Sequence, residues 1–118
     1  IQIILGYIFA PIAWLMGIPW DEAILAGELL GLKTALNEFY AYPGLASEEY
    51  SSLSDRSKLI TFYSLCGFAN LSSVGILVSG IAAMAPDRKE DLIKVSLKAL
   101  VGATLASCMT GLIVGIFI

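Results

Sequence analysis

Histidine is absent from this 118-residue sequence, and cysteine occurs only at Cys66 and Cys108. Histidine and cysteine supply most zinc ligands and much of the general-base and thiol chemistry of enzymes. Both cysteines lie in apolar segments, where cysteine commonly behaves as a small buried hydrophobe. The carboxylates lack the paired spacing of a catalytic acid and base. We therefore expect no disulfide, no metal site and no enzymatic activity.

Charge is also scarce, since only 14% of the residues are charged and 58% are hydrophobic. Soluble domains contain about 25% charged and about 45–50% apolar residues, so this chain has too little polar surface to cover itself in water. The net charge is −3 and the seven basic residues are scattered, which argues against a nucleic-acid partner. The composition predicts a membrane protein.

The N-terminal region lacks the basic residues and the small-residue cleavage site of a secretory signal peptide. No initiator methionine precedes it, and the last eight residues, GLIVGIFI, include no polar side chain. We expect a piece of a longer protein that crosses the membrane several times.

Charged residues divide the sequence into four apolar segments. Residues 1–20 and 99–118 are uncharged, and each is long enough to cross a bilayer as a helix, which takes about 20 residues. Residues 59–86 are uncharged as well, whereas residues 23–42 contain three charged side chains. We predict an all-α fragment with a transmembrane helix over 1–20, a re-entrant helical hairpin over 21–56, an interrupted transmembrane helix over 57–86 and a final transmembrane helix over 87–118.

The third segment is interrupted at its middle by CGFANLSS at residues 66–73. Unwound backbone at membrane depth survives only where it is buried in protein or lines a watery cavity. We predict a helix that ends near Phe68 and restarts near Ser73, with Asn70 or Ser72 as its cap. Such a break suits a binding site for a polar solute. The alternative is that these small and polar residues let two helices pack closely.

The charged side chains of the second segment are expensive in a membrane and mark function by default. For Glu28 and Lys33, snorkelling or a buried ion pair is the simpler interpretation. Glu38 lies in NEFYAYPG, where Pro43 and Gly44 are expected to turn the chain, so we place it near a re-entrant tip. A carboxylate, an amide and hydroxyls together could bind a polyhydroxylated solute.

Two motifs carry a family resemblance, LNEFYAY at 36–42 and LCGFANLSSVGI at 65–76. Followed by MAPDRKEDL and an apolar helix, they resemble the C-terminal half of the concentrative nucleoside transporters, over essentially the whole chain. The resemblance implies a sodium- or proton-coupled nucleoside symporter that works by alternating access. It also implies that the chain is the second of two inverted repeats in one C-terminal transport region, with residues 1–20 as the C-terminal part of a scaffold helix.

The resemblance further implies a substrate-binding site. In the family the Glu of NEF, and the Asn and second Ser of FANxSS, bind the ribose hydroxyls, while the Phe of FAN lines the pocket. Tyr40 stands where many members have a smaller residue such as Val, which leaves the pocket shape open. The corresponding positions in this sequence are Glu38, Asn70, Ser73 and Phe68.

Other expectations from the resemblance concern the rest of the transporter. The Gly-Gln-Thr-Glu stretch that reads the base, and the main cation site, belong in the family to the N-terminal half and have no counterpart in this sequence. The implied partners are a nucleoside, the lipid bilayer, that N-terminal half and further copies in a homotrimer, and the implied location is the plasma (inner) membrane. No cofactor is expected besides the coupling Na⁺ or H⁺. The alternative function is a helical packing region of another multi-pass membrane protein, with no role in solute binding.

Overall fold

The computed structural model describes all 118 residues as six α-helices and two 3₁₀ turns, without strands. The predicted all-α fold is confirmed. The 3₁₀ turns are Glu48–Tyr50 and Pro86–Arg88. The helices are α1 (Gln2–Leu15), α2 (Trp20–Ala35), α3 (Glu38–Leu45), α4 (Asp55–Leu65), α5 (Leu71–Met84) and α6 (Lys89–Phe117).

The first two helices fold back on each other with a bend of 118°. The reversal needs a left-handed residue, and Gly17 supplies it with a φ of 94°. Glycine also allows the two backbones to approach, because a Cβ on Gly27 would lie 2.5 Å from the carbonyl oxygen of Gly6 and 2.9 Å from the nitrogen of Ala10. Small residues at such contacts are typical of helices packed in membranes.

The second and third apolar segments are each broken, and the breaks divide α2 from α3 and α4 from α5. In the first break Leu36 has φ −106° and ψ −95°, and Asn37 is fully extended. In the second break Asn70 is extended and caps α5, as its oxygen accepts from the backbone nitrogen of Ser73 at 2.7 Å. The predicted interruption of the third segment and its capping by Asn70 are therefore confirmed.

Two local predictions differ from the structure. Pro43 and Gly44, expected to turn the chain, lie inside α3. A proline costs a short helix one backbone hydrogen bond, which this eight-residue helix tolerates. In addition, α4 ends at Leu65, three residues earlier than Phe68. The tight turn follows at once because Gly67 packs directly against Ser107 of α6.

The core is built from small and medium side chains where the α1–α2 pair packs against α3, α4 and α6. Packing of small side chains brings the helices close together, which suits a fold stabilised by van der Waals contact. In contrast, Val78 is the only buried residue of α5. The main cluster consists of Ala10, Ala13, Met16, Ile18, Ala23, Ala26, Leu30, Ala41, Ile60, Leu65 and Cys108.

By length and composition, Pro86–Phe117 is the one continuous helix that could cross a membrane. The helices α1 and α2 pass the same test only as a bent pair, and α5 is a shorter apolar helix. The chain bends by 118° at the α1–α2 junction, whereas Glu38 follows the first break. The bounds of the four predicted membrane segments stay predictions.

Candidate functional site

The two helix breaks meet through one pair of polar side chains. Asn70 donates a hydrogen bond from Nδ2 to Oε2 of Glu38 at 2.9 Å. Glu38 is the first residue of α3 and is 9% exposed, while Asn70 is 1% exposed. A carboxylate and an amide separated by 32 positions are thus brought together at the start of two helices.

The amide of Asn70 is oriented by bonds on both sides. Its Oδ1 accepts from the backbone nitrogen of Ser73 at 2.7 Å, and its Nδ2 donates to Glu38. These two bonds fix which end of the amide is oxygen and which is nitrogen, because only an oxygen can accept at the helix N-terminus. Asn70 therefore holds the Glu38 carboxylate at the N-terminal end of α5, where a negative charge is favoured.

One carboxylate oxygen of Glu38 remains available. Oε2 accepts a hydrogen bond from a protein donor, whereas Oε1 accepts none. Oε1 is also not fully enclosed by the protein. Glu38 lines a cavity of about 260 Å³ together with Tyr42, Leu65, Cys66, Gly67 and Phe68. The cavity thus combines an acceptor oxygen with apolar and aromatic walls, the usual composition of a small-molecule site.

The other two predicted site residues lie at the edge of this arrangement. Phe68 is 78% exposed and lines both the Glu38 cavity and a second cavity of about 340 Å³ between α5 and α6. Ser73 lines the second cavity but not the first, and it meets the Glu38–Asn70 pair through its backbone nitrogen. The structure therefore joins Glu38 and Asn70 directly and leaves the Ser73 hydroxyl apart from them.

A larger concave surface lies elsewhere on the chain. It encloses about 610 Å³ on the outer side of α3 and α4, and Lys58 is its only charged residue. Tyr42 lies between the two concavities, with its hydroxyl 2.9 Å from the sulfur of Cys66. We assign the functional site to the smaller Glu38 cavity because it contains a buried carboxylate, which the larger surface lacks. No group of three or more Cys, Asp or Glu side chains is placed to hold a metal ion.

Two buried charges differ from the sequence-based interpretation. Glu28 is 7% exposed and accepts from the Tyr50 hydroxyl at 3.1 Å instead of pairing with a cation. Burial raises the pKa of the Tyr50 hydroxyl, and the adjacent Glu28 charge raises it further. Lys33 neither snorkels nor forms an ion pair, since it is 1% exposed and donates only to the carbonyl oxygen of Ser64, at 3.4 Å.

Sequence reasoning missed Arg56 entirely. Its guanidinium donates to the carbonyl oxygens of Gly17 and Gly115, each at 2.7 Å. Arg56 thereby links the turn between α1 and α2 to the C-terminal end of α6. A lone arginine in a polar loop gives no sequence signal for such a contact, because both acceptors are backbone atoms far away in the chain.

Comparison with known proteins gives consistent matches. A family model described as Na⁺ dependent nucleoside transporter C-terminus matches residues 1–115. The nucleoside permease NupC of Helicobacter pylori is 42% identical over 120 residues, which cover 98% of this chain and 29% of the permease. Solute carrier family 28 member 3 of Homo sapiens is 37% identical over 131 residues, which cover 98% of this chain and 19% of the carrier.

A solved structure shares the fold. CNTnw in an inward-facing substrate-bound state matches with a TM-score of 0.88 and 44% identity. The match covers 99% of this chain and 29% of that protein. The chain thus spans less than a third of the length of each of these relatives.

Proposed function

The chain belongs to the family of Na⁺-dependent nucleoside transporter C-termini, and we propose that it supplies the ribose-binding half of the substrate site in a cation-coupled nucleoside symporter. The predicted resemblance to the concentrative nucleoside transporters is confirmed, and with it a transporter family instead of an enzyme family. The observation that carries the proposal is the hydrogen bond between Asn70 and Glu38, which unites two helix breaks around a free carboxylate oxygen.

In the proposed site, Oε1 of Glu38 accepts a hydrogen bond from a ribose hydroxyl. An ionised acceptor in a site shielded from water forms a strong, short hydrogen bond. The amide of Asn70 is already held by Glu38 and Ser73, so it fixes the direction in which the carboxylate points. Preorganisation of this kind lowers the cost of ordering the site when substrate binds.

Phe68 and Ser73 have supporting roles in this proposal. The exposed ring of Phe68 offers a flat apolar surface on which the sugar or base can pack. Ser73 lines the neighbouring cavity, which Phe68 shares with the Glu38 cavity. We assign it as a ribose contact of the substrate-bound state.

The remaining steps of the proposed transport cycle are inferred from the family to which the chain belongs. Recognition of the base and the main cation site would lie in the N-terminal half, and coupling to Na⁺ or H⁺ would move the Glu38 site from one side of the membrane to the other. The breaks suit this motion, because discontinuous helices at membrane depth are a common device for solute sites in transporters. We further propose a multi-pass location in the plasma (inner) membrane and a homotrimeric assembly.

A packing role is the alternative, and one contact favours it. Gly67 lies so close to α6 that an added Cβ would collide with the Ser107 hydroxyl, so the glycine of the break serves helix packing. Packing does not require an ionised side chain, however, and Glu38 is a costly residue to bury for that purpose alone. We therefore prefer solute binding.

The test is counterflow uptake of labelled uridine by the full-length transporter in liposomes, with an imposed sodium or proton gradient. We expect uptake to need one of the two gradients and to be lost in Glu38→Gln and in Asn70→Ala. Glu49→Gln is the matched control, because Glu49 is exposed in the 3₁₀ turn, and it should transport normally. Normal uptake by a well-folded Glu38→Gln protein would refute ribose binding by Glu38.

A further inference from the structure

The concave surface between α3 and α4 is larger than the Glu38 cavity. It encloses about 610 Å³, against about 260 Å³ for the cavity. One of its lining residues is charged, and the others have apolar or aromatic side chains. We call this surface the α3–α4 groove. Its lining residues are Tyr42, Leu45, Ala46, Lys58, Leu59 and Phe62.

The groove has a charged end and an aromatic end. Lys58 lies in the first turn of α4, which begins at Asp55, and Phe62 lies one turn further along the same helix, about 6 Å away. The Phe62 ring packs against the Tyr42 ring of α3, with the centroids 5.2 Å apart. The Tyr42 hydroxyl already has a partner, because it lies 2.9 Å from the Cys66 sulfur. The aromatic end therefore offers a ligand mainly apolar contact.

The ammonium of Lys58 is available to an anion. It donates only to the carbonyl oxygen of Ser51, at 3.5 Å, although an ammonium has three donors. None of the acidic side chains nearby in the sequence forms an ion pair with it. Lys58 is half-buried, as expected for a lysine that lays its aliphatic stem along an apolar surface and keeps its charge in a polar environment.

Lys58 also lies where the chain passes from charged to uncharged residues. Five of the twelve residues 47–58 are charged, whereas residues 59–86 carry no charge. The chain belongs to a family of membrane transporters, and lysines near the ends of membrane helices extend their ammonium to the level of the lipid head groups. We therefore expect the charged end of the groove at that level and the aromatic end deeper in the membrane.

We propose that the α3–α4 groove binds one anionic phospholipid of the surrounding membrane. The phosphate pairs with the Lys58 ammonium, and the first part of an acyl chain packs against Leu45, Leu59 and Phe62. Basic pockets between membrane helices are suited to anionic head groups, and the apolar walls supply contacts for the chain. The inference goes beyond the proposed function and depends on neither Glu38 nor Asn70.

A phospholipid matches the groove better than a further segment of polypeptide. It has one anionic group at one end and an apolar remainder, and the groove has one cation at one end followed by apolar side chains. A segment from the rest of the transporter would have to place a single acidic side chain opposite Lys58. Charge complementarity at one point, with apolar contact beyond it, is the pattern of a lipid.

The test is native mass spectrometry of the full-length transporter, titrated in detergent with phosphatidylglycerol or with phosphatidylcholine. We expect the wild type to bind the first phosphatidylglycerol about fivefold more tightly than the first phosphatidylcholine, since one lysine beside an anionic head group contributes about that factor. Lys58→Gln should lose this preference, and Lys58→Arg should keep it. The control is Lys98→Gln on the exposed side of α6, which should also keep it.

A second variant tests the apolar part of the groove. Ala46 is exposed and lines the groove, so Ala46→Trp fills the space without disturbing the core. We expect it to weaken the binding of both phospholipids. Displacement of phosphatidylglycerol by glycerol phosphate alone would mean that the head group binds without the chain, which contradicts the proposal.

Unchanged lipid binding in both Lys58→Gln and Ala46→Trp would overturn the proposal and show that another part of the transporter covers the groove. Uridine takes no part in these measurements. A failure of the proposed function would therefore leave the result for the lipid unaffected, and the two can be told apart.

Discussion

Glu38 begins α3 and Asn70 caps α5, each after a break, and the Asn70 side chain donates to the Glu38 carboxylate at 2.9 Å. A helix begins with backbone amides that lack partners, so both positions attract polar oxygen atoms. The pair therefore links the N-terminal ends of α3 and α5 and leaves Oε1 of Glu38 available to a ligand. Structure and proposed binding depend on the same two side chains.

Asn70→Asp separates capping from substrate binding. Aspartate is as good a cap as asparagine, but it loses the Nδ2 donor and sets a second carboxylate against Glu38. We expect the protein to insert and remain folded, with uridine uptake reduced at least about tenfold, because the new carboxylate repels Glu38 where the amide had donated a hydrogen bond to it. Uptake per folded molecule checks this, and wild-type uptake would show that the hydrogen bond to Glu38 is dispensable.

Gly67→Ala tests the packing of the second break. The new Cβ would collide with the Ser107 hydroxyl, so the hydroxyl must rotate away from its hydrogen bond to Ala103 or a helix must shift, and the apparent melting temperature should fall. Gly75→Ala is the control, since nothing lies within 4 Å of a Cβ at Gly75. Ser107→Ala in the Gly67→Ala background should recover part of the loss. Equal melting temperatures for the two glycine variants would contradict the close contact.

Arg56→Lys should destabilise the fold without altering the substrate site. Arginine reaches Gly17 and Gly115 with two separate nitrogens, and a lysine has only one. The loss is about 1–3 kcal/mol for one charged hydrogen bond. Thermal unfolding in detergent should show a lower melting temperature with unchanged uridine affinity. Arg88→Lys, whose partner is the exposed Asp91, should change neither.

Tyr50→Phe removes the only donor to the Glu28 carboxylate. The variant should be less stable at neutral pH by about 1–3 kcal/mol, because a buried acceptor loses its partner. The pKa of Tyr50 is raised in the folded protein, so its contribution is complete below the unfolded pKa of about 10 and is lost as the pH rises above that value. The difference in melting temperature between wild type and Tyr50→Phe should therefore shrink above pH 10. A difference that stays constant to pH 11 would contradict this assignment.

The sequence predicted those features that depend on local chemistry. The break in the third segment follows from glycine, asparagine and serine within a few residues, and Asn70 is a cap because its side chain reaches a backbone amide three positions ahead. The four candidate site residues came from two motifs, NEF and FANLSS. The structure brings Glu38 and Asn70 together, and the binding roles of all four residues stay predictions.

Long-range features were beyond sequence reasoning. The reversal at Gly17 depends on the contact of α1 with α2, and Lys33 is buried because α4 supplies a carbonyl end 31 positions away. Composition suggested snorkelling or an ion pair for such a lysine, since nothing local marks a distant helix end. Pro43 lies inside α3, although the local sequence predicted a turn there.

Uridine and 2′,3′-dideoxyuridine titrated against the full-length wild type and Glu38→Gln would test ribose recognition most directly. We predict that the wild type prefers uridine by about 5- to 150-fold, because the dideoxy compound leaves a desolvated carboxylate without a donor. In Glu38→Gln this preference should fall to a few-fold, with binding of the dideoxy compound little changed. An equal preference in both proteins would contradict the claim that Glu38 binds the ribose.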